Sequence, residues 1–180
     1  MTRQKRMPDD KKYTLCGLNG LGRTDFVRVL GSVFEHSPWI VEAAWSKLPF
    51  ASLEDLHRAL CETVRNSGAE QQLALVRAHP DLAGHAALNG ALTRESSTEQ
   101  SDAGLNRLSP AELTLFQKQN ATYRETFGFP FVICARLNRT AAILAAFEHR
   151  LKKPPDEELK TALEEIFKIA ELRIRDLVTH

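Results

Sequence analysis

The stretch that decides the fold lies at residues 156–178 and reads DEELKTALEEIFKIAELRIRDLV. Apolar residues recur in it every three or four positions: Leu159, Ala162, Leu163, Ile166, Ile169, Ala170 and Leu177. This spacing is that of one face of an α-helix. Pro154-Pro155 directly before it ends any preceding helix. The sequence therefore predicts a long final helix with one buried face.

Helical periodicity also fills most of the chain before this helix. Helices are predicted at Asp25 to Glu35, Ser37 to about Lys47, Ser52 to Val64, Gln71 to Arg77, Ser109 to Gly128, and Asn138 or Thr140 to Leu151. Strand signals are nearly absent, since Pro130 interrupts the β-rich stretch at 129–134. We expect an all-α protein, a single compact domain of about seven to nine helices at residues 18–180. Residues 1–17 are expected to form a flexible basic extension.

Residues 84–108 are rich in Ser, Thr, Asn and Gly and have weak periodicity. We expect a linker there, with short helical pieces at 86–91 and 99–105. Glu99 and Gln100 lie in this polar segment, where a solvated loop is the default interpretation.

Composition excludes several classes of protein. The 180 residues carry a net charge of +1, which argues against nucleic-acid or membrane partners. The three cysteines Cys16, Cys61 and Cys134 include no C-x-x-C pair, and no signal peptide is recognisable. A reduced, cytoplasmic setting is therefore expected. Without H-E-x-x-H or comparable ligand spacing, we expect no metal site.

His79 stands in the stretch His79-Pro80-Asp81-Leu82-Ala83-Gly84, which breaks a helical run. Proline disfavours helical geometry for the residue before it, so the imidazole can point into a pocket. Histidine can also give and take protons near neutral pH. The alternative is a histidine that caps a helix C-terminus.

Arg173 falls on the apolar stripe of the final helix, seven residues after Ile166 and four after Ile169. It should therefore point inward, where a guanidinium needs a partner. Two interpretations of Arg173 are open. It forms a buried salt bridge, or it lies in a pocket that binds an anion or a carbonyl group.

The segment at 127–132 is apolar and not helical, so its backbone polar groups need partners other than those of a helix. One candidate partner for these groups is a ligand. The alternative is a packed connection in which they bind water or side chains.

Taken together, these residues resemble the OHCU decarboxylase family, whose substrate is 2-oxo-4-hydroxy-4-carboxy-5-ureidoimidazoline. The resemblance covers about residues 18–178 and is carried by these stretches: Phe34 to Trp39, His79 to Gly84, Glu95 to Gln100 with Ala103 to Leu105, Phe127 to Arg136, and Leu172-Arg173. Each stretch alone is weakly specific, and their order and spacing together are specific.

The resemblance implies an all-α homodimer that forms (S)-allantoin without cofactor or metal. It implies that His79 is catalytic, that Glu99 and Gln100 position the substrate, and that Arg173 binds it. It also implies that Pro80 and the backbone at Phe131, Val132 and Ile133 line the pocket. The competing interpretations are a non-catalytic helical binding domain and, on the basic N-terminus, a nucleic-acid binder.

Overall fold

The computed structural model describes residues 12–179, and within them the chain is helical. It contains ten α-helices: α1 Leu15–Asn19, α2 Arg23–Leu30, α3 Pro38–Ala44, α4 Leu53–Arg65, α5 Ala69–Arg77, α6 His85–Leu88, α7 Arg94–Asp102, α8 Pro110–Phe127, α9 Thr140–Arg150 and α10 Pro155–Leu177. Eight have seven or more residues, and α1 and α6 are short. The all-α prediction is confirmed.

The remaining regular structure is small. Three 3-10 turns lie at Trp45–Lys47, Leu105–Arg107 and Ala135–Leu137. Strand β1 (Tyr13–Thr14) pairs in parallel with β2 (Val178–Thr179), so the two ends of the described chain meet.

The predicted basic extension at residues 1–17 lies mostly outside the described residues, which begin at Lys12. Its last five residues belong to β1 and to the first turns of α1. The Thr14 side chain caps α1 by accepting a hydrogen bond from the Gly17 N–H at 3.1 Å.

The long helix α10 occupies the centre of the domain and packs against α2, α4 and α5. Nine of its residues are buried, among them Ile166, Ile169 and Arg173 on the predicted stripe. Burial of apolar area contributes roughly 25 cal/mol per Å², so this face is a main source of stability.

Several helix starts follow from local sequence. Ser52 caps α4 by accepting from the Asp55 N–H at 3.0 Å. Ser109 and Glu112 form a capping box at the start of α8, the helix predicted at Ser109 to Gly128. Gly128 ends α8 with a φ of 74°, a conformation that glycine adopts without strain.

The predicted helix at 25–35 is too long, because α2 ends at Leu30. Gly31, a poor helix former, follows, and the chain turns before α3. Val33 and Phe34 are still buried, but in this turn. The turn also carries Glu35 into the interior.

The predicted linker at 84–108 contains α7, whose nine residues begin five positions before the predicted piece at 99–105. Thr93 caps the helix by accepting from the Ser96 N–H at 3.3 Å. The buried face of α7 consists of Ser96, Glu99 and Gln100, so it lacks the apolar periodicity that marks other helices. Glu99 and Gln100 are therefore helical and buried, and the solvated-loop interpretation is wrong.

Candidate active site

A small cavity of about 30 Å³ lies where α5, α7, α10 and the segment after α8 meet. All eight residues that the sequence predicted for the site line it: His79, Pro80, Glu99, Gln100, Phe131, Val132, Ile133 and Arg173. Ser96 and three apolar residues complete the lining of the cavity. The fold thus brings together side chains separated by up to 94 positions in the sequence, from 79 to 173.

His79 follows the C-terminal turn of α5 and is 6% exposed. Its Nδ1 lies 3.0 Å from the carbonyl oxygen of Leu75, one turn earlier. A carbonyl oxygen only accepts, so Nδ1 carries the proton and Nε2 presents its lone pair. Nε2 is buried and has no hydrogen-bond partner among the described residues.

Burial lowers the pKa of His79 to about 4, because the charged imidazolium is desolvated. The Leu75 hydrogen bond and the charge of Glu35 act in the opposite direction, and Arg173 adds to the lowering. The imidazole is therefore neutral near pH 7, and its Nε2 can act as a base.

Arg173 reaches inward from α10 and uses all five of its N–H groups on protein acceptors. Nε and Nη2 donate to the two carboxylate oxygens of Glu99 at 2.7 and 2.8 Å. Nη1 donates to the Ser32 carbonyl and to a Glu35 oxygen, both at 3.0 Å. The longest contact joins Nη2 to the Ser96 hydroxyl at 3.3 Å. The buried-salt-bridge interpretation therefore describes this residue in the structure.

The Gln100 side chain holds the backbone that follows His79. Its Oε1 accepts from the Ala83 N–H at 2.9 Å, and its Nε2 donates to the Asp81 carbonyl at 3.4 Å. Ala83 has a φ of 49°, a conformation uncommon for residues other than glycine. Asn120 of α8 donates to the Leu82 carbonyl at 2.8 Å. The loop is thus fixed from two helices.

Side chains supply some of the partners that the non-helical segment after α8 requires. Arg150 donates from Nη1 to the Val132 carbonyl at 2.7 Å, and Glu165 accepts from the Cys134 N–H at 2.8 Å. The N–H groups of Val132 and Ile133 donate to no acceptor within residues 12–179. Both residues line the cavity, so their N–H groups are candidate donors to a ligand.

The described side chains do not favour catalysis by a cysteine thiolate or by a bound metal ion. Burial raises the pKa of the Cys134 thiol to about 11, so little thiolate exists at neutral pH. Within residues 12–179, no three His, Cys, Asp or Glu side chains are arranged to hold a metal ion. No helix in the same range is long and apolar enough to cross a membrane.

Two polar residues of the site were missed by reasoning from sequence. Ser96 contacts both Arg173 and Glu35 and lines the cavity. Glu35, 2% exposed, contacts Thr93, Ser96 and Arg173. Both residues lie in stretches that carry the family resemblance, Glu35 in Phe34 to Trp39 and Ser96 in Glu95 to Gln100, and this was the available signal.

Comparisons with known proteins identify related chains. The family model described as OHCU decarboxylase matches residues 19–175. The 2-oxo-4-hydroxy-4-carboxy-5-ureidoimidazoline decarboxylase of Halalkalicoccus jeotgali is 40% identical over 166 residues, which cover 92% of each chain.

Two solved structures are similar in fold. A crystal structure of OHCU decarboxylase in the presence of (S)-allantoin matches with a TM-score of 0.66 and 25% identity, covering 87% of this chain and 98% of that one. A crystal structure of (S)-allantoin synthase matches with a TM-score of 0.73 and 28% identity over 93% of this chain. The present chain spans 54% of the length of that protein.

Proposed function

This chain belongs to the OHCU decarboxylase family, and we propose that it converts 2-oxo-4-hydroxy-4-carboxy-5-ureidoimidazoline (OHCU) to (S)-allantoin in urate degradation. The observation that carries the proposal is a buried imidazole with an unpartnered Nε2, beside the Arg173–Glu99 pair in one cavity. An unprotonated base and a fixed charged pair are the groups that this reaction needs.

The substrate has a carboxylate and a hydroxyl on one ring carbon, next to an imine carbon that bears the ureido group. When the bond to the carboxylate breaks, its electron pair forms a new ring double bond, and the imine π electrons move to nitrogen, which takes up a proton. Loss of the hydroxyl proton and protonation of the ureido-bearing carbon then give allantoin and CO2. Because the substrate supplies its own electron sink, the proposed reaction uses no cofactor.

His79 is the catalytic base in this proposal. Its Nδ1–H is held by Leu75, so Nε2 accepts the substrate hydroxyl proton. General acid–base help of this kind contributes typically 10²–10⁴-fold to the rate, as a rough guide. Pro80 fixes the backbone direction after the imidazole.

We propose that Glu99, Gln100 and Arg173 position the substrate. The cavity volume of about 30 Å³ is too small for the whole substrate, so side chains would move when the substrate enters. The Arg173 contact to Ser96 is the longest that this guanidinium makes, and a substrate oxygen can replace that hydroxyl. The N–H groups of Val132 and Ile133 would donate to substrate carbonyl oxygens.

The proposal extends to the assembly and the location of the protein. Following the family resemblance, we propose a homodimer that acts in the cytoplasm on a small molecule, without nucleic acid or membrane. Sedimentation analysis should give a mass twice the 20.2 kDa of one chain. A monomer at micromolar concentration would contradict the dimer.

The function is tested by generating OHCU in solution from urate and following circular dichroism. Uncatalysed decay gives racemic allantoin, which has no net signal, so stereospecific catalysis produces a signal that grows with enzyme concentration. A ligand-binding domain without activity would leave the signal at the background of the enzyme-free reaction.

A further inference from the structure

We propose that Glu35, which does not line the cavity, is a positioning residue that orients Arg173 and supplies the negative charge facing His79 when that base takes a proton. The inference deepens the proposed function and rests on it. It identifies a role for a carboxylate that the reaction chemistry above does not use.

The Glu35 carboxylate joins three parts of the chain. One oxygen accepts from the Thr93 hydroxyl at 2.7 Å; the other accepts from the Ser96 hydroxyl and from Arg173 Nη1, both at 3.0 Å. Thr93 and Ser96 belong to the first turn of α7, and Arg173 belongs to α10. Glu35 therefore sets the distance between the two helices that carry the Arg173–Glu99 pair.

The backbone around Glu35 is arranged to aim this carboxylate inward. His36, the next residue, has a φ of 47°, and its side chain is exposed, whereas Glu35 is 2% exposed. A positive φ at a residue other than glycine or asparagine is uncommon, and it persists where the surroundings enforce it. The three hydrogen bonds to Glu35 hold its carboxylate in the interior.

The charges of the site do not balance unless His79 is protonated. Arg173 carries one positive charge and bonds to two carboxylates, Glu99 and Glu35, so these three side chains together carry one net negative charge. The groups that face His79 are Glu35 and His36 from the turn before α3, Glu99 from α7 and Arg173 from α10. A proton on His79 therefore brings the summed charge of the His79, Arg173, Glu99 and Glu35 side chains to zero.

The ionisation of Glu35 agrees with this role. Burial opposes the charged carboxylate, but the Thr93 hydrogen bond and the charge of Arg173 outweigh burial, and the pKa of Glu35 lies below its ordinary value. Glu35 is thus anionic at neutral pH and able to stabilise an imidazolium.

The test is Glu35→Gln, which removes the charge and keeps an acceptor oxygen. NMR titration of the His79 imidazole in the full chain needs no substrate and should show protonation at lower pH than in the wild type. We expect kcat to fall about tenfold or more, with a much smaller change in KM. Glu35→Asp, which keeps the charge, should restore the titration toward the wild type and recover most of kcat.

Glu112→Gln is the matched control, because it removes a carboxylate from the capping box of α8, away from the site. It should lower Tm slightly and leave kcat and the His79 titration unchanged. The inference is overturned if Glu35→Gln leaves both kcat and the titration as in the wild type. It is also overturned if the Gln and Asp variants lose activity only in proportion to unfolded protein. An inactive wild type would refute the proposed function, whereas the titration would still decide the effect of Glu35 on His79.

Discussion

At the scale of single residues, the proposed chemistry depends on one imidazole whose two nitrogens have different surroundings. Nδ1 bonds to the Leu75 carbonyl inside the protein, and Nε2 has no protein partner. The backbone therefore selects the tautomer, and burial keeps the ring neutral. Together these two effects produce a base at neutral pH without a second charged residue in contact with it.

The low pKa of His79 predicts how stability depends on pH. The unfolded chain has an ordinary histidine pKa of about 6.5, and the folded value is about 4. Between these values the unfolded state binds more protons, so the free energy of unfolding falls as pH falls through that window. The loss from pH 7 to pH 5 should be about 2 kcal/mol.

Urea unfolding at pH 7 and pH 5 measures this loss, and His79→Asn serves as the comparison because it has no proton to take up. The variant should show a loss smaller by about 2 kcal/mol. Glu35, whose pKa is lowered from 4.5, loses its contribution only at more acidic pH. Equal losses in wild type and variant would show that His79 is not held neutral by the fold.

At the scale of elements, α7 and the segment after α8 show why sequence patterns identify some parts of the site and not others. Helix α10 can be predicted from the sequence because its buried face is mostly apolar. The spacing of these apolar residues also correctly predicts that Arg173 faces inward. Helix α7 buries Ser96, Glu99 and Gln100, which pair with partners distant in sequence. A pattern within one segment cannot reveal such partners. The sequence therefore predicts a linker with short helical pieces there, and not this helix.

The segment after α8 depends on a second buried ion pair. Arg150 donates from Nε to Glu158 at 2.7 Å and from Nη1 to the Val132 carbonyl, and its guanidinium lies 4.4 Å from the centroid of the Phe131 ring. The Tyr123 hydroxyl also donates to Glu158. These contacts couple α8, α9 and α10 to the cavity wall.

Arg150→Met should destabilise the protein by about 3–5 kcal/mol, because it leaves the Glu158 carboxylate buried without its cation. Adding Glu158→Leu removes that charge, so the double variant should be less destabilised than the sum of the two single variants. Urea unfolding of the three variants gives the coupling. Additive effects would mean that the pair does not act as a unit.

At the scale of the whole molecule, the sequence predicted the fold class, and the family resemblance named eight of the twelve residues that line the cavity. It was not sufficient for the way those residues bond to each other. Arg173 and Glu99 lie 74 positions apart in the sequence. Their bidentate pair follows only from the way α7 and α10 pack. The participation of Glu35 depends in the same way on the turn between α2 and α3.

The proposed cofactor-free reaction gives a further prediction for the whole protein. Dialysis against EDTA, followed by gel filtration, should leave the rate of allantoin formation unchanged, because the proposed electron sink belongs to the substrate. Loss of activity that is restored by adding a divalent cation would contradict this part of the proposal.

The most direct test of the account compares wild type with His79→Asn in the circular-dichroism assay of (S)-allantoin formation. Asparagine can still donate a hydrogen bond to the Leu75 carbonyl but has no basic nitrogen, so the fold should persist. The account predicts a signal that grows with wild-type concentration and a rate lower by roughly 10²–10⁴-fold in the variant, at equal helical content. A folded His79→Asn protein that forms (S)-allantoin at the wild-type rate would contradict it.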